Sequence, residues 1–152
     1  MDKLKIKIKK LRNNAVLPVY QTEQAAGMDL CACIDEPKTL QPLERAIIST
    51  GLAIELPVGY EAQIRARSGM VAKHGITIAN GIGTIDADYR GECGVLAINL
   101  SNIAFTIEPN MRIAQLVVAK YERVVFQEVE TLGQTERGDG GYGSTGVHAK
   151  LT

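Results

Sequence analysis

The alternation that decides the fold stands near the start of the chain, which reads Lys3-Leu4-Lys5-Ile6-Lys7-Ile8-Lys9. Apolar residues alternate with lysines throughout. Because successive side chains of a β-strand point to opposite faces, this pattern predicts a half-buried strand over 3–9. The same period recurs along the chain, and it predicts further strands over 28–34, 45–56, 60–67, 76–79, 95–100, 104–107, 112–119 and 124–130.

Turn residues separate the predicted strands, for example at Glu36-Pro37 and Pro109-Asn110. Many short strands joined by frequent turns are typical of an all-β sandwich or barrel. The pattern predicts one short helix over 68–74, with Ser68 as its N-cap and Gly75 at its end. The free N–H groups at the start of such a helix can bind an anion.

Length and charge narrow the class of protein. The chain has 152 residues, which favours one domain, and 17 Lys+Arg balance 17 Asp+Glu. Because non-specific nucleic-acid binding needs an excess of Lys and Arg, this balance argues against a nucleic-acid partner but not against a small anion. No apolar run is long enough to span a membrane and no secretory signal is apparent, so we expect no membrane partner and a cytoplasmic location. The three cysteines are expected to be reduced.

The composition changes after Leu132, because six of the 15 glycines lie beyond this residue. The alternation also ends there, and we predict a folded body over 1–132 and a mobile arm over 133–152. Residues 138–143 match G-x-G-x-x-G, but the flanking strand and helix of a Rossmann site are missing. A Walker A loop would need a lysine where Ser144 stands. Flexible glycines still suit the wrapping of a phosphate by backbone N–H groups.

Five segments interrupt the alternation with glycine and polar residues. They are Ala26–Leu30, Arg67–Gly69, Asn80–Glu92, Arg112–Leu116 and the glycine-rich arm. Each alone has a structural explanation, as a turn or as solvated strand residues. In order and spacing the five together closely resemble the five sequence motifs of the trimeric dUTPases, from about Ala25 to Gly146.

The resemblance implies a β jelly roll that forms a homotrimer, in which the arm of one subunit closes over a site built by the other two. It implies hydrolysis of dUTP to dUMP and pyrophosphate, which supplies dUMP for thymidylate synthesis and keeps uracil out of DNA. Mg²⁺ is the implied cofactor, held mainly by phosphate oxygens and water, since the sequence shows no dedicated metal cage. Asp29 either reaches Mg²⁺ through water or braces Arg67, and the sequence leaves both roles open.

The resemblance also assigns the catalytic base. The family pattern places it at the first acid of Ile-Asp-x-Asp-Tyr, which is Asp86. This carboxylate would orient and deprotonate the water that attacks the α-phosphorus. Asp88 is the rival within the same hairpin tip.

The hairpin is implied to bind the nucleoside. Its backbone would run along the Watson–Crick edge of uracil, Asn80 would add an amide contact, and the Tyr89 ring would pack on the deoxyribose and exclude a 2′-hydroxyl. The residues of this group are Asn80, Thr84, Ile85, Tyr89 and Gly94. A structural alternative for Tyr89 is an aromatic that stabilises the hairpin, and Asn80 beside Gly81 suits a left-handed turn.

The triphosphate is implied to lie among local donors of the body and the arm. The body residues are Arg67, Ser68, Gly69 and Gln115, and the arm residues are Arg137, Gly143, Ser144 and Thr145. Tyr142 would stack on the uracil as the arm closes, at a position where the commoner family pattern has Phe.

Two other functions compete with this hypothesis. A dCTP deaminase of the same fold would need a general acid/base at the cytosine ring rather than at the α-phosphate. A jelly-roll protein that binds nucleotides without turnover would tolerate the loss of the Asp86 carboxylate. The Asp-Ala-Asp-Tyr sequence of the hairpin favours the pyrophosphatase.

Overall fold

A computed structural model describes residues 4–144 and 146–148. This part of the chain contains eleven strands and one helix. In chain order they are β1 (Lys7–Lys10), β2 (Met28–Cys31), β3 (Lys38–Leu40), β4 (Arg45–Ile48), β5 (Leu52–Glu55), β6 (Tyr60–Ala66), α1 (Ser68–His74), β7 (Ile76–Ile78), β8 (Gly83–Ile85), β9 (Val95–Asn99), β10 (Phe105–Ile107) and β11 (Arg112–Lys120). The fold is therefore mostly β, as the two-residue period predicts.

The strands form four antiparallel sheets. The largest has the order β2-β11-β6-β8, a second has the order β4-β9-β7, and the pairs β1-β5 and β3-β10 complete the set. In the largest sheet Gln115 of β11 lies opposite Asp29 of β2 on one side and Arg65 of β6 on the other. Because β8 is the last strand of this sheet, its outer edge carries N–H and C=O groups that no described strand uses.

One apolar core joins the four sheets. Its most deeply buried large side chains come from six strands that between them belong to every sheet, and each is at most 1% exposed. They are Leu30, Leu40, Ile48, Leu52, Val95 and Ile107. The core therefore fixes the sheets against one another and provides a rigid base for the loops that carry the polar motifs.

The helix has the predicted bounds and the predicted end. Gly75 follows it with φ +66°, in the left-handed region that favours glycine, and a side chain there would meet the backbone of Ser101 at 2.9 Å. The prediction that Ser68 is the N-cap is wrong. Arg67 occupies that position with extended backbone and makes no side-chain capping hydrogen bond, so that Ser68 is the first helical residue. The described chain contains no helix long and apolar enough to cross a membrane.

Most predicted strands are confirmed, and three need correction. The strand predicted over 45–56 is two strands, because the chain turns at Gly51 with φ +67°. The strand predicted over 124–130 is wrong, since the segment pairs with no strand in the described residues and leaves Val125 and Phe126 97% and 93% exposed. The strand predicted over 3–9 begins only at Lys7, and residue 3 lies outside the described residues.

The chain divides into two units, one up to Glu122 and one from Arg123 onward. The four sheets and the helix belong to the first unit. Residues 123–132 fall with the second unit, although the sequence predicts them within the body. The division into a body over 1–132 and an arm over 133–152 stays a prediction about function.

Candidate active site

A cavity of about 230 Å³ lies at β8 and at the loop that follows it. All five residues that the sequence assigns to the nucleoside line this cavity, namely Asn80, Thr84, Ile85, Tyr89 and Gly94. Apolar side chains form much of the remaining wall, together with Glu92 and Cys93. Burial raises the pKa of the Cys93 thiol to about 11, so this thiol is protonated at neutral pH.

The sequence predicts a hairpin here, but β8 and β9 belong to different sheets, so the segment after β8 is a loop between sheets, and hydrogen bonds within the loop hold its tip. The Tyr89 N–H donates to the carbonyl of Asp86 at 3.2 Å. Arg90 folds back, and its Nη1 donates to the carbonyls of Ala87 at 2.7 Å and Tyr89 at 3.0 Å. Asp86 directly follows β8, and the side chains of both Asp86 and Asp88 are exposed. A carboxylate in this position is open to solvent and can contact a water molecule directly.

The Tyr89 ring lies across Gly91. Its hydroxyl donates to the carbonyl of Glu92 at 3.1 Å. A Cβ on Gly91 would lie 2.3 Å from the hydroxyl oxygen and 2.5 Å from Cζ of the same ring, so only glycine leaves room for this ring position.

Gly91→Ala is therefore expected to displace the Tyr89 ring from the cavity wall. We expect the KM for nucleotide to rise by about 10-fold with a smaller change in kcat, because the substitution disturbs binding rather than chemistry. Steady-state kinetics with a parallel thermal melt will test this. An unchanged KM in a folded variant would show that the ring position does not matter for binding.

A second cluster lies at the start of α1, where one carboxylate holds two arginines. Asp29 Oδ1 lies 3.1 Å from Arg67 Nε, and Asp29 Oδ2 lies 3.1 Å from Arg112 Nη1. Arg67 Nη1 also donates to the Arg112 carbonyl at 2.8 Å. The Asp29 side chain is only 9% exposed. Two guanidinium groups against one carboxylate leave a net charge of about +1, which suits an anionic ligand.

This cluster differs from the surface ion pairs of the chain. In the Lys7–Glu55 pair the side chains are 80% and 44% exposed, so solvent screens the attraction between them. The shielded Asp29 carboxylate instead fixes the direction of two planar guanidinium groups and leaves their other N–H groups available. The Asp29 carboxylate therefore affects the positions of the two guanidinium groups more than it affects the stability of the fold.

The other body residues that are predicted to bind the phosphates lie at the start of α1 and in β11. Ser68 and Gly69 are exposed in the first turn of α1, and Gln115 is half-buried in β11 opposite Asp29. A Cβ on Gly27 would lie 2.7 Å from Gln115 Oε1. Gly27 thus leaves space for the Gln115 amide in its present position.

The arm residues belong to the second unit. They are Arg137, Tyr142, Gly143, Ser144 and Thr145, of which Thr145 lies outside the described residues. The other four are exposed in a series of tight turns. Arg137 Nε donates to the Gly140 carbonyl at 2.8 Å, and Tyr142 and Gly143 both have positive φ, at 48° and 95°. The Tyr142 ring makes no burying contact, since it is fully exposed.

The described residues contain no group of three or more His, Cys, Asp or Glu that could hold a metal ion. Asp29 already contacts a guanidinium group with each carboxylate oxygen. A divalent cation bound here would therefore take most of its ligands from an anionic substrate and from water, as Mg²⁺ commonly does.

Sequence reasoning gave no role to Arg112, although it marked the segment from Arg112 to Leu116. The guanidinium contacts Asp29, which is 83 residues away, and no local pattern indicates such a pairing. The only signal is an arginine at the start of a buried strand that also carries Gln115.

The fold and the site together define a mostly β protein. Strand β6 contributes Ile64 to the cavity and leads directly into Arg67, which belongs to the cluster around Asp29. This combination suits a nucleotide, with an apolar slot for the base and donors for the phosphates. The model of the dUTPase family matches residues 13–146. The chain therefore belongs to the dUTPase family.

Individual relatives agree with this membership. The chain is 57% identical to the deoxyuridine 5'-triphosphate nucleotidohydrolase of Rickettsia felis over 143 residues, covering 93% of this chain and 97% of that protein. It is 55% identical to the protein of the same name from Rickettsia akari over 148 residues, covering 97% and 100%. A solved structure of the Staphylococcus bacteriophage 80alpha dUTPase with dUPNHPP is similar, with a TM-score of 0.86 and 29% identity over 95% of this chain and 100% of that chain.

Proposed function

We propose that this chain hydrolyses dUTP to dUMP and pyrophosphate, with Asp86 as the general base. Hydrolysis of dUTP follows from family membership and from the 55–57% identity to nucleotidohydrolases over nearly the whole chain. The observation that carries the proposed site is the cavity at β8, which gathers the five predicted nucleoside residues next to Asp86. The dUMP product would supply thymidylate synthesis, and the removal of dUTP would keep uracil out of DNA.

Asp86 acts on the attacking water. Its carboxylate accepts a proton from the water as the oxygen forms a bond to the α-phosphorus, and the bond from that phosphorus to the bridging oxygen breaks to release pyrophosphate. The position directly after β8 supports this choice, since the adjacent strand residues Thr84 and Ile85 line the cavity. Neither aspartate lines the cavity itself, and Asp88 lies two residues further from β8 than Asp86 does.

Uracil binds along the backbone of β8 and of the loop that follows it. The outer edge of β8 supports this, because an edge strand offers N–H and C=O groups in the donor and acceptor pattern that a base edge can pair with. Cytosine would leave some of these groups unpaired, which is a strong penalty. The Asn80 amide adds a contact, and the Tyr89 ring packs on the deoxyribose and leaves no space for a 2′-hydroxyl.

The phosphates bind at the start of α1. Arg67 and Arg112, both held by Asp29, supply charge, and Ser68, Gly69 and Gln115 supply further donors. The two guanidinium partners of Asp29 favour the bracing role for this residue over an indirect contact with Mg²⁺. When bound, Mg²⁺ supplies further charge neutralisation on the triphosphate, with phosphate oxygens and water as its main ligands.

The arm closes over the site of another subunit in a homotrimer of jelly rolls. Arg137, Gly143, Ser144 and Thr145 bind the outer phosphates, and Tyr142 stacks on the uracil. Two features support this arrangement. The described site residues of the arm are exposed in their own unit, and apolar side chains of the segment 124–130, which precedes the arm, are exposed as well. Val125 and Phe126 are nearly fully exposed in the single chain and suit burial against a second copy.

The proposal also includes a cytoplasmic location, with neither nucleic acid nor a membrane as a partner. The three cysteines support the location, because all are free thiols in the structure. The equal numbers of acidic and basic residues support the absence of a polyanionic partner.

A pyrophosphate-release screen over dUTP, dTTP, dCTP and UTP, with and without Mg²⁺, tests the proposed function. We expect release from dUTP with Mg²⁺ and much less from the other three nucleotides. Ammonia release from dCTP would instead indicate a deaminase. Binding of dUTP without any pyrophosphate release would indicate a nucleotide-binding protein.

A further inference from the structure

The loop between β8 and β9 is tied to the turn between β4 and β5, residues 49–51. The Glu92 carboxylate accepts hydrogen bonds from the Ser49 hydroxyl and, at 2.6 Å, from the Gly51 N–H. The Thr50 hydroxyl donates to the Cys93 carbonyl at 2.6 Å, and the Cys93 N–H donates to the Leu52 carbonyl at 2.8 Å. Four hydrogen bonds therefore fix the two residues that precede Gly94 in the cavity wall.

The same segment carries Tyr89. The Glu92 carbonyl accepts from the Tyr89 hydroxyl at 3.1 Å and from the Gly94 N–H at 3.0 Å. A shift of the Glu92–Cys93 peptide would therefore move both the ring and the Gly94 backbone. Both are cavity residues, so the shape of the cavity depends on where the turn holds this peptide.

Thr50 is an unusual residue to find at this point. It is completely buried, and it is one of two buried polar residues in the described chain, the other being Asn99. Gly51 beside it has φ +67°, and a Cβ there would lie 2.8 Å from Cys33 Sγ, so the turn has little freedom to move. A buried hydroxyl with a single acceptor in a rigid turn is well placed to define the position of that acceptor.

We propose that Thr50 and Glu92 are positioning residues for nucleoside recognition, which set the Tyr89 ring and the Gly94 backbone at the distance that admits deoxyuridine and rejects a ribose. The inference rests on the proposed binding of the nucleoside in this cavity. Neither residue needs to touch the substrate, because Thr50 acts through the Cys93 carbonyl that its hydroxyl holds, and Glu92 acts through its own backbone, which its carboxylate ties to the turn.

Thr50→Val tests the inference, because valine keeps the shape of threonine and removes the hydroxyl. We expect KM for dUTP to rise by about 10-fold, kcat to change by less than about 3-fold, and the dUTP/UTP ratio of kcat/KM to fall by about 10-fold. Thr50→Ser restores the hydroxyl and should recover most of the ratio. Ile107→Val, which removes a methylene from the core at β10, is the control for lost stability and should leave the ratio unchanged.

Glu92→Ala and Glu92→Gln form a second pair on an exposed residue, where folding is less at risk. The Gln oxygen can still accept from Ser49 and Gly51, so only the Ala variant should lose discrimination. If Thr50→Val and Glu92→Ala melt at lower temperature yet keep the wild-type dUTP/UTP ratio, the two residues are merely structural and the inference is wrong. Tyr89→Leu separates this from a wrong cavity assignment, since an unchanged ratio in that variant would overturn the proposed nucleoside site itself.

Discussion

Asp86→Asn is expected to lower kcat for dUTP by about 100–10,000-fold while the affinity for a non-hydrolysable dUTP analogue changes by less than about 3-fold. Asparagine has nearly the same size and shape as aspartate and can still form hydrogen bonds, but it cannot take a proton from the attacking water. The residue lies directly after β8 in the exposed tip, so the substitution disturbs no core contact. Single-turnover pyrophosphate release and calorimetric binding measure the two quantities separately.

Asp88→Asn is the matched control. Asp88 is exposed in the same tip, so it shares the environment of Asp86 without the adjacent position to the cavity strand. We expect it to retain most of the activity. If Asp88→Asn shows the large loss and Asp86→Asn does not, the base has been assigned to the wrong carboxylate.

Truncation after Leu132 is expected to lower kcat/KM for dUTP by about 100–1,000-fold and to leave the body folded. The deletion removes the Arg137 donors, the Tyr142 ring and the glycine turns that exclude water on closure. The four sheets, the helix and the apolar core all lie before Glu122, so their contacts are retained. Kinetics, a thermal melt and the mass of the assembly report on activity, folding and oligomerisation in turn.

A chain that ends at His148 is the control for truncation, because it keeps every arm residue that is predicted to bind the substrate. It should have near wild-type activity. If the chain that ends at Leu132 unfolds, the arm is structural and the functional boundary at 132 is wrong. If it remains fully active, the arm takes no part in catalysis.

Local patterns were enough to predict much of the fold. The alternation in 60–67 and 112–119 has almost the bounds of β6 and β11, which form the centre of the largest sheet. The helix over 68–74 was predicted from its end at Gly75, where positive φ leaves little choice of residue. In each case the residues that carry the signal are within one element, so the chain neighbourhood contains the information.

The elements that could not be predicted depend on distant partners. β3 has only three residues and pairs with β10, far along the chain, while β8 lies between Gly81 and a polar tip and so has the composition of a loop. The segment 124–130 shows the opposite case, with apolar residues that the single chain leaves exposed. Its alternation signals burial, but the described residues provide no strand to pair with it.

The site divides in the same way. The resemblance in motif order and spacing predicts five residues of the cavity wall, because four of them lie in one segment from Thr84 to Gly94 and Asn80 lies four residues before it. It did not predict the positions of Arg112 or Thr50, whose partners Asp29 and Cys93 are separated from them by 83 and 43 residues. Contacts of this kind are fixed by packing, and a single sequence contains no local sign of them.

Complementation between two inactive variants tests the shared active site most directly. Asp86→Asn has an intact arm but no base, and the chain truncated after Leu132 has the base but no arm. If each site takes its base and its arm from different subunits, trimers formed from equal amounts of the two should regain about one quarter of the wild-type activity per site. Mixed assemblies confirmed by native mass that stay as inactive as either parent would contradict the account.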